Sequence, residues 1–267
     1  MTTIQKSLDG AVLTLTLNQP ELRNAFNDEV IVELTQAFQD ANQRPEVRVV
    51  VLAAKGKAFC AGADLNWMRR MADYTRDENL QDAAALANML KVIYQCSKPT
   101  IAKIQGDVYA GGMGLVAACD IAVCVDTARF CLSEVKLGLI PATISPYVLR
   151  AMGARNAHRY FLTAEVFDAR EAHRIHFVHE VVGATQLNDK VDHIAQAFLA
   201  TGPHATSACK TLIQQVANRD INDALIAHTV AEIADIRSSA EGREGVGSFL
   251  QKRSPAWVAS VAPTAAA

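Results

Sequence analysis

The sequence predicts an α/β fold: strands joined by helical crossovers, followed by a helical C-terminal region. Three observations carry that prediction. Residues 47–54, "VRVVVLAA", form a continuous β-branched run, which reads as a strand buried on both faces. Strand and helix patterns then alternate up to about residue 183. From about 185 to 252 the pattern is nearly all helical.

The elements follow in order. "MTTIQKSLDGAVLTLTLNQP" reads as two short strands around the turn Asp9-Gly10, and 11–17 alternates as a half-buried strand does. In "NDEVIVELTQAFQDANQ", Val30, Ile31, Leu34 and Phe38 recur at helical spacing, with Asn27 as N-cap. After the 47–54 strand, a glycine-bearing loop leads into a helix at "DLNWMRRMA". A long helix covers about 77–96, with Leu80, Ala84, Leu86, Leu90 and Ile93 apolar, and Pro99 marks its end. "TIAKIQG" is the next strand, "YAGGMGLVAACD" a turn and a helix, and "DIAVCVD" another strand. A helix around 146–152 and further helices to about 179 precede the short strand "HEVV". This gives a core over 1–183, a helical region over 184–256, and a frayed alanine-rich tail over 257–267.

The chain has 267 residues, half of them hydrophobic, enough for one sizeable core. A formal net charge of -2 offers no electrostatic footprint for nucleic acid. No run of 18 apolar residues marks a membrane span, and the N-terminus lacks the order of a signal peptide. The six cysteines lie in apolar contexts without a CxxC, which reads as reduced core thiols in a cytoplasmic protein. Four of seven histidines cluster at 158, 173, 176 and 179, but no HExxH accompanies them and no metal site is expected.

Two stretches carry candidate chemistry. "YAGGMGLVAACD" opens a helix on Gly111, Gly112 and Gly114, although a glycine costs a helix interior about 1 kcal/mol relative to alanine. Such a turn exposes backbone N–H groups and lets a ligand approach closely, as an anion or a developing oxyanion requires. Close helix–strand packing is the alternative use of the same glycines. "AFCAGADL" has the same grammar, and one donor from each turn could grip a single carbonyl oxygen. Neither is a dinucleotide fingerprint, and no P-loop or GxSxG elbow occurs.

With their spacing, these turns resemble the crotonase family, the enoyl-CoA hydratase/isomerase superfamily. The resemblance spans nearly the whole chain: "LNQPELRNAF", "KAFCAGADL", "KPTIAKIQG", "AGGMGLVAACDIAV", "ARFCLSEVKLGLIPA" and "EGREGVGSFLQKRSPAW". "GADLNWMRRMA" and "CLSEVKLGLIPATISPYVLR" are similar to bacterial hydratases acting on methylglutaconyl-CoA and related branched, carboxylated substrates.

The resemblance implies a spiral of repeated ββα units with a helical C-terminal region that trimerises, as a trimer or a dimer of trimers. It implies an acyl-CoA thioester as substrate and no cofactor beyond the coenzyme A that the substrate carries. By position it places an oxyanion hole at the N–H groups of Ala63 and Gly111 and an acid/base at Glu134. Gly112, Gly114 and Trp67 fall at the substrate pocket, and Arg23, Phe249 and Lys252 at the coenzyme A site. The family's second glutamate falls at Gly114, where its absence leaves room for substrate or ordered water. Hydration of a 2-enoyl-CoA, isomerisation of a 3-enoyl-CoA by Glu134 alone, and acyl-CoA binding without turnover all stay open.

Overall fold

The computed structural model describes residues 2–259. The chain opens with a hairpin of β1 (Ile4–Asp9) and β2 (Val12–Leu17), in which Asp9 pairs with Val12 across the expected turn. Helix α1 (Asp28–Gln43) follows, its first turn capped by the Asn27 side chain, which accepts from the Val30 N–H. It buries Val30, Ile31, Leu34, Ala37, Phe38 and Ala41, as its 3.6-residue periodicity requires.

Three repeats come next, each with one strand for each of two sheets and then a helix. The first is β3 (Val49–Ala54), β4 (Ala58–Cys60) and the helices α2 (Leu65–Ala72) and α3 (Arg76–Tyr94). The second is β5 (Thr100–Ile104), β6 (Asp107–Tyr109) and α4 (Gly111–Ala118). The third is β7 (Ile121–Val125), β8 (Arg129–Cys131) and α5 (Ser145–Thr163). β9 (Phe167–Asp168), α6 (Ala169–Arg174) and β10 (Glu180–Val182) close the core.

The larger sheet has the order β1-β2-β3-β5-β7-β10, parallel from β2 onward. Val49 to Leu52 are buried, so this strand is covered on both faces as its β-branched run predicts. The smaller sheet has the order β4-β6-β8-β9, with β4, β6 and β8 parallel. This is the ββα spiral that the resemblance implied.

Several details depart from the sequence reading. α3 ends at Tyr94, five residues before Pro99. The helix expected around 146–152 runs from Ser145 to Thr163, interrupted at Gly153, whose φ of +75° is not helical. Of the cysteines read as core thiols, Cys209 is exposed and Cys119 half-buried; all six are free thiols. The tail expected over 257–267 begins inside a short helix, and residues 260–267 lie outside the described residues.

The C-terminal helices are α7 (Leu187–Leu199), α8 (Pro203–Val216), α9 (Asp223–Ser238), α10 (Ala240–Leu250) and α11 (Ala256–Ala259). Packing divides them. α7 buries Leu187, Val191, Ala195 and Leu199 and lies on β3, β5 and β7, so it belongs with the sheet. α8 and α9 bury no residue fully, and α10 only Ser248. α8 is pinned to the core by Lys210, whose ammonium donates to Asp120 Oδ2 at 2.7 Å. Asp120 in turn accepts from the Thr100 N–H and hydroxyl at the start of β5.

Candidate active site

Three adjacent parallel strands of the smaller sheet end side by side, and each is followed by one of the predicted site residues. β4 ends at Cys60 and leads to Ala63; β6 ends at Tyr109 and leads to Gly111; β8 ends at Cys131 and leads to Glu134. Neighbouring strands lie about 4.8 Å apart, so the three loops fall within about 10 Å across the sheet.

The first turn is held from outside by Phe26. Its N–H donates to Gly62 O at 2.8 Å, and its carbonyl accepts from the Asp64 N–H at 3.0 Å. Between these bonds, the Ala63 N–H meets no acceptor among the described residues. Asp64 caps α2, accepting from the Asn66 and Trp67 N–H groups, as expected of it. Gly62 has φ +91°, and a side chain there would strike Ala110 Cβ at 3.0 Å and Tyr109 O at 3.3 Å. The two turns therefore touch, and only a glycine allows it.

The second turn is strained. Ala110, the N-cap of α4, has φ 47° and ψ -121°, an arrangement that costs a non-glycine residue about 1–3 kcal/mol. Its N–H donates to Cys131 O at 2.8 Å, which ties the turn to the strand before Glu134. Gly111 follows as the first residue of the helix, so its N–H has no intrahelical acceptor. A Cβ on Gly111 would lie 2.3 Å from Phe26 Cζ. One phenylalanine thus fixes both donor turns, the first through its backbone and the second through its ring.

Glu134 opens a 3₁₀ turn, Glu134–Leu137, and its Oε2 is buried without a hydrogen-bond partner. Burial pushes its carboxyl above the ordinary carboxylate range, only partly opposed by its own backbone N–H. A buried carboxylate oxygen left without a partner is expensive, which makes it a strong candidate for a function. Together, two unpaired N–H groups and a carboxyl group with raised proton affinity can polarise a carbonyl and move a proton beside it.

The family model for enoyl-CoA hydratase/isomerase matches residues 7–260. The chain belongs to that family. A Legionella pneumophila protein provisionally named as an enoyl-CoA hydratase/isomerase (crotonase) is 44% identical, with a TM-score of 0.90 over 96% of this chain and 99% of that one. An enoyl-CoA hydratase from Shewanella pealeana is 40% identical, with a TM-score of 0.93 over 96% of each chain. Among more distant relatives, the peroxisomal Delta(3,5)-Delta(2,4)-dienoyl-CoA isomerase of Arabidopsis thaliana is 28% identical, with 94% of each chain covered.

The remaining predicted positions of this enoyl-CoA hydratase/isomerase family member divide by geometry. The backbone of Arg23 accepts from the Ala61 N–H at 3.0 Å, which sets this exposed residue beside the first turn. Phe249 and Lys252 stand at the exposed end of α10, which packs against α8 and α9.

A Cβ on Gly112 would lie 2.8 Å from Cys60 O, so its lack of a side chain lets α4 pack on β4. At Gly114 the Cβ direction is taken by Ile144, whose Cγ2 would lie 2.3 Å from a Cβ there. Trp67 is buried. Its indole N–H donates to Asp82 Oδ1 at 2.9 Å, and its ring lies 6.0 Å from that of Phe26.

Sequence reasoning passed over Phe26, Ala110 and Asn24. The Asn24 amide donates to Lys55 O and Ala58 O and clips the loop before α1 to β4. No metal-binding cluster and no helix long and apolar enough to cross a membrane occur among the described residues. A cleft of about 760 Å³ lies elsewhere, between α8 and the start of β7, and includes none of Ala63, Gly111 and Glu134.

Proposed function

We propose that the protein adds water to a 2-enoyl-CoA thioester, branched or carboxylated, through an enolate held at the Ala63 and Gly111 N–H groups. The observation that carries this reading is the buried, unpartnered Oε2 of Glu134, in the turn that follows β8, the strand next to β6 and its Gly111 turn. Glu134 is the acid/base: it takes a proton from water as the water oxygen bonds to C3 and gives a proton to C2 of the enolate, so that H and OH add across the double bond. Two N–H donors in a site shielded from water stabilise the charge on the thioester oxygen, each by about 3–4 kcal/mol. The name of the Shewanella pealeana relative, an enoyl-CoA hydratase, supports hydration. The branched, carboxylated substrate class rests on "GADLNWMRRMA" and "CLSEVKLGLIPATISPYVLR".

Arg23 binds the coenzyme A phosphates, and Phe249 and Lys252 at the C-terminal helix reach the coenzyme A of a neighbouring subunit. No other cofactor is required. The chain assembles as a trimer or dimer of trimers. This is supported by Ile213, Val230, Val246 and Phe249, exposed on helices that bury almost nothing within the subunit.

Isomerisation of a 3-enoyl-CoA is the second reading, favoured by one observation. Ile144 fills the space beside Gly114, which leaves Glu134 without a neighbouring carboxylate there. Incubation with 3-methylglutaconyl-CoA, a linear 2-enoyl-CoA and a 3-enoyl-CoA in oxygen-18 water, followed by mass spectrometry, separates the two. Labelled oxygen in the acyl chain is the expected result. A shifted double bond without label would replace hydration by isomerisation, and an unchanged panel would leave a binder.

A further inference from the structure

Gly114 lies one turn after Gly111 on α4, so the two share a helix face about 5 Å apart. The Gly111 end of that face meets the Phe26 ring, and the Gly114 end is covered by aliphatic carbon. Ile144 Cγ2 and Cβ would lie 2.3 and 2.8 Å from a Cβ on Gly114, and Leu90 Cδ2 3.4 Å from it. Ile144 is 1% exposed and Leu90 is fully buried. The chain reaches Ile144 directly from Glu134: the Leu139 N–H returns to Glu134 O, and the 3₁₀ turn carrying Glu134 packs against α5, which Ile144 caps. The helix carrying the Gly111 donor and the turn carrying Glu134 therefore both pack against the helix that Ile144 caps.

We infer that Ile144, seated on Gly114, is the specificity-determining wall for the reacting end of the acyl group and selects a small alkyl branch at C3. This rests on the proposed acyl-CoA reading of the site. An alkyl branch gains apolar contact with Ile144. A carboxylate pressed against the same wall would lose its hydration without a partner, so a carboxylated substrate directs that group away from Ile144. Gly114 is part of the device, because any side chain there would displace the wall.

The test is the affinity of unreactive saturated thioesters, measured by calorimetry. 3-Methylbutanoyl-CoA and butanoyl-CoA differ by the branch alone. One methyl group in a hydrophobic pocket is worth about 10–200-fold. The wild-type protein is expected to bind the branched ligand at least about 10-fold more tightly, in keeping with that range. Ile144→Ala should bring the ratio close to one, and Ile144→Val should lower it partly, with thermal unfolding verifying that both variants fold. Equal affinities in the wild type, or an unchanged ratio in a folded Ile144→Ala protein, would overturn the inference. Binding is read without turnover, so the two readings fail separately. An altered ratio without oxygen-18 incorporation leaves the wall and removes hydration; incorporation with an unaltered ratio does the reverse.

Discussion

Replacing Glu134 by glutamine should make the protein more stable at neutral pH and nearly inactive. The carboxyl group has a buried oxygen without a partner, and burial raises its proton affinity above that of an ordinary glutamate at 4.5. Below that value both folded and unfolded chains hold the proton, and burial costs little. As pH rises past it, the unfolded chain releases its proton first. The folded chain then loses relative stability until its own raised pKa is passed. Across that interval the loss is about 1.4 kcal/mol for each pH unit. Glutamine keeps the shape and removes the titration. Relative to wild type, the variant should therefore gain stability progressively as pH rises from 4.5 towards neutrality, by about 1.4 kcal/mol per pH unit until the raised pKa is passed, with about 2–4 °C in Tm per kcal/mol for a chain of this size. Turnover should fall by about 10²–10⁴ with loss of the general acid/base. Thermal unfolding of both proteins across that pH range, with kcat/KM beside it, decides the matter. A stability difference that does not change with pH would refute the account of the orphaned carboxylate. Near-normal turnover in the variant would refute its catalytic role.

Two further outcomes follow from contacts around the site and the C-terminal helices. Gly111→Ala should cut kcat by about 10²–10³, the cost of losing one oxyanion donor, because its Cβ would lie 2.3 Å from Phe26 Cζ and the turn must shift. Phe26→Leu in the same chain should restore part of that activity, and steady-state kinetics on the pair measures it. Lys210→Ala should destabilise the protein by about 3 kcal/mol in urea unfolding, the lower end for a buried ion pair because the Asp120 side chain keeps 28% exposure.

Where periodicity had room to develop, the fold was legible in the sequence. The alternation of 11–17, the β-branched run of 47–54 and the Asn27 cap each became the predicted element. β4, β6 and β8 were not legible as a sheet, because three residues cannot display a period of two. Yet these short strands align Ala63, Gly111 and Glu134. The glycines were legible as glycines that mattered, but their separate uses were not. Gly112 meets Cys60 and Gly114 meets Ile144, partners that are distant along the chain and carry no local signal. Phe26 stood in plain view as an aromatic residue beside a helix cap. Only the folded chain shows its ring on Gly111 and its backbone on the 62–64 turn.

That double use of Phe26 has a kinetic consequence. The two donor turns lie 48 positions apart in sequence and are aligned by a residue 37 positions before the first of them. The donor pair therefore depends on contacts among three segments far apart in the chain. Contacts of such long range form late, after loop closure has been overcome. On refolding, helical content should return first and affinity for an anionic thioester analogue last, which makes ligand capture a clock for the final step of assembly.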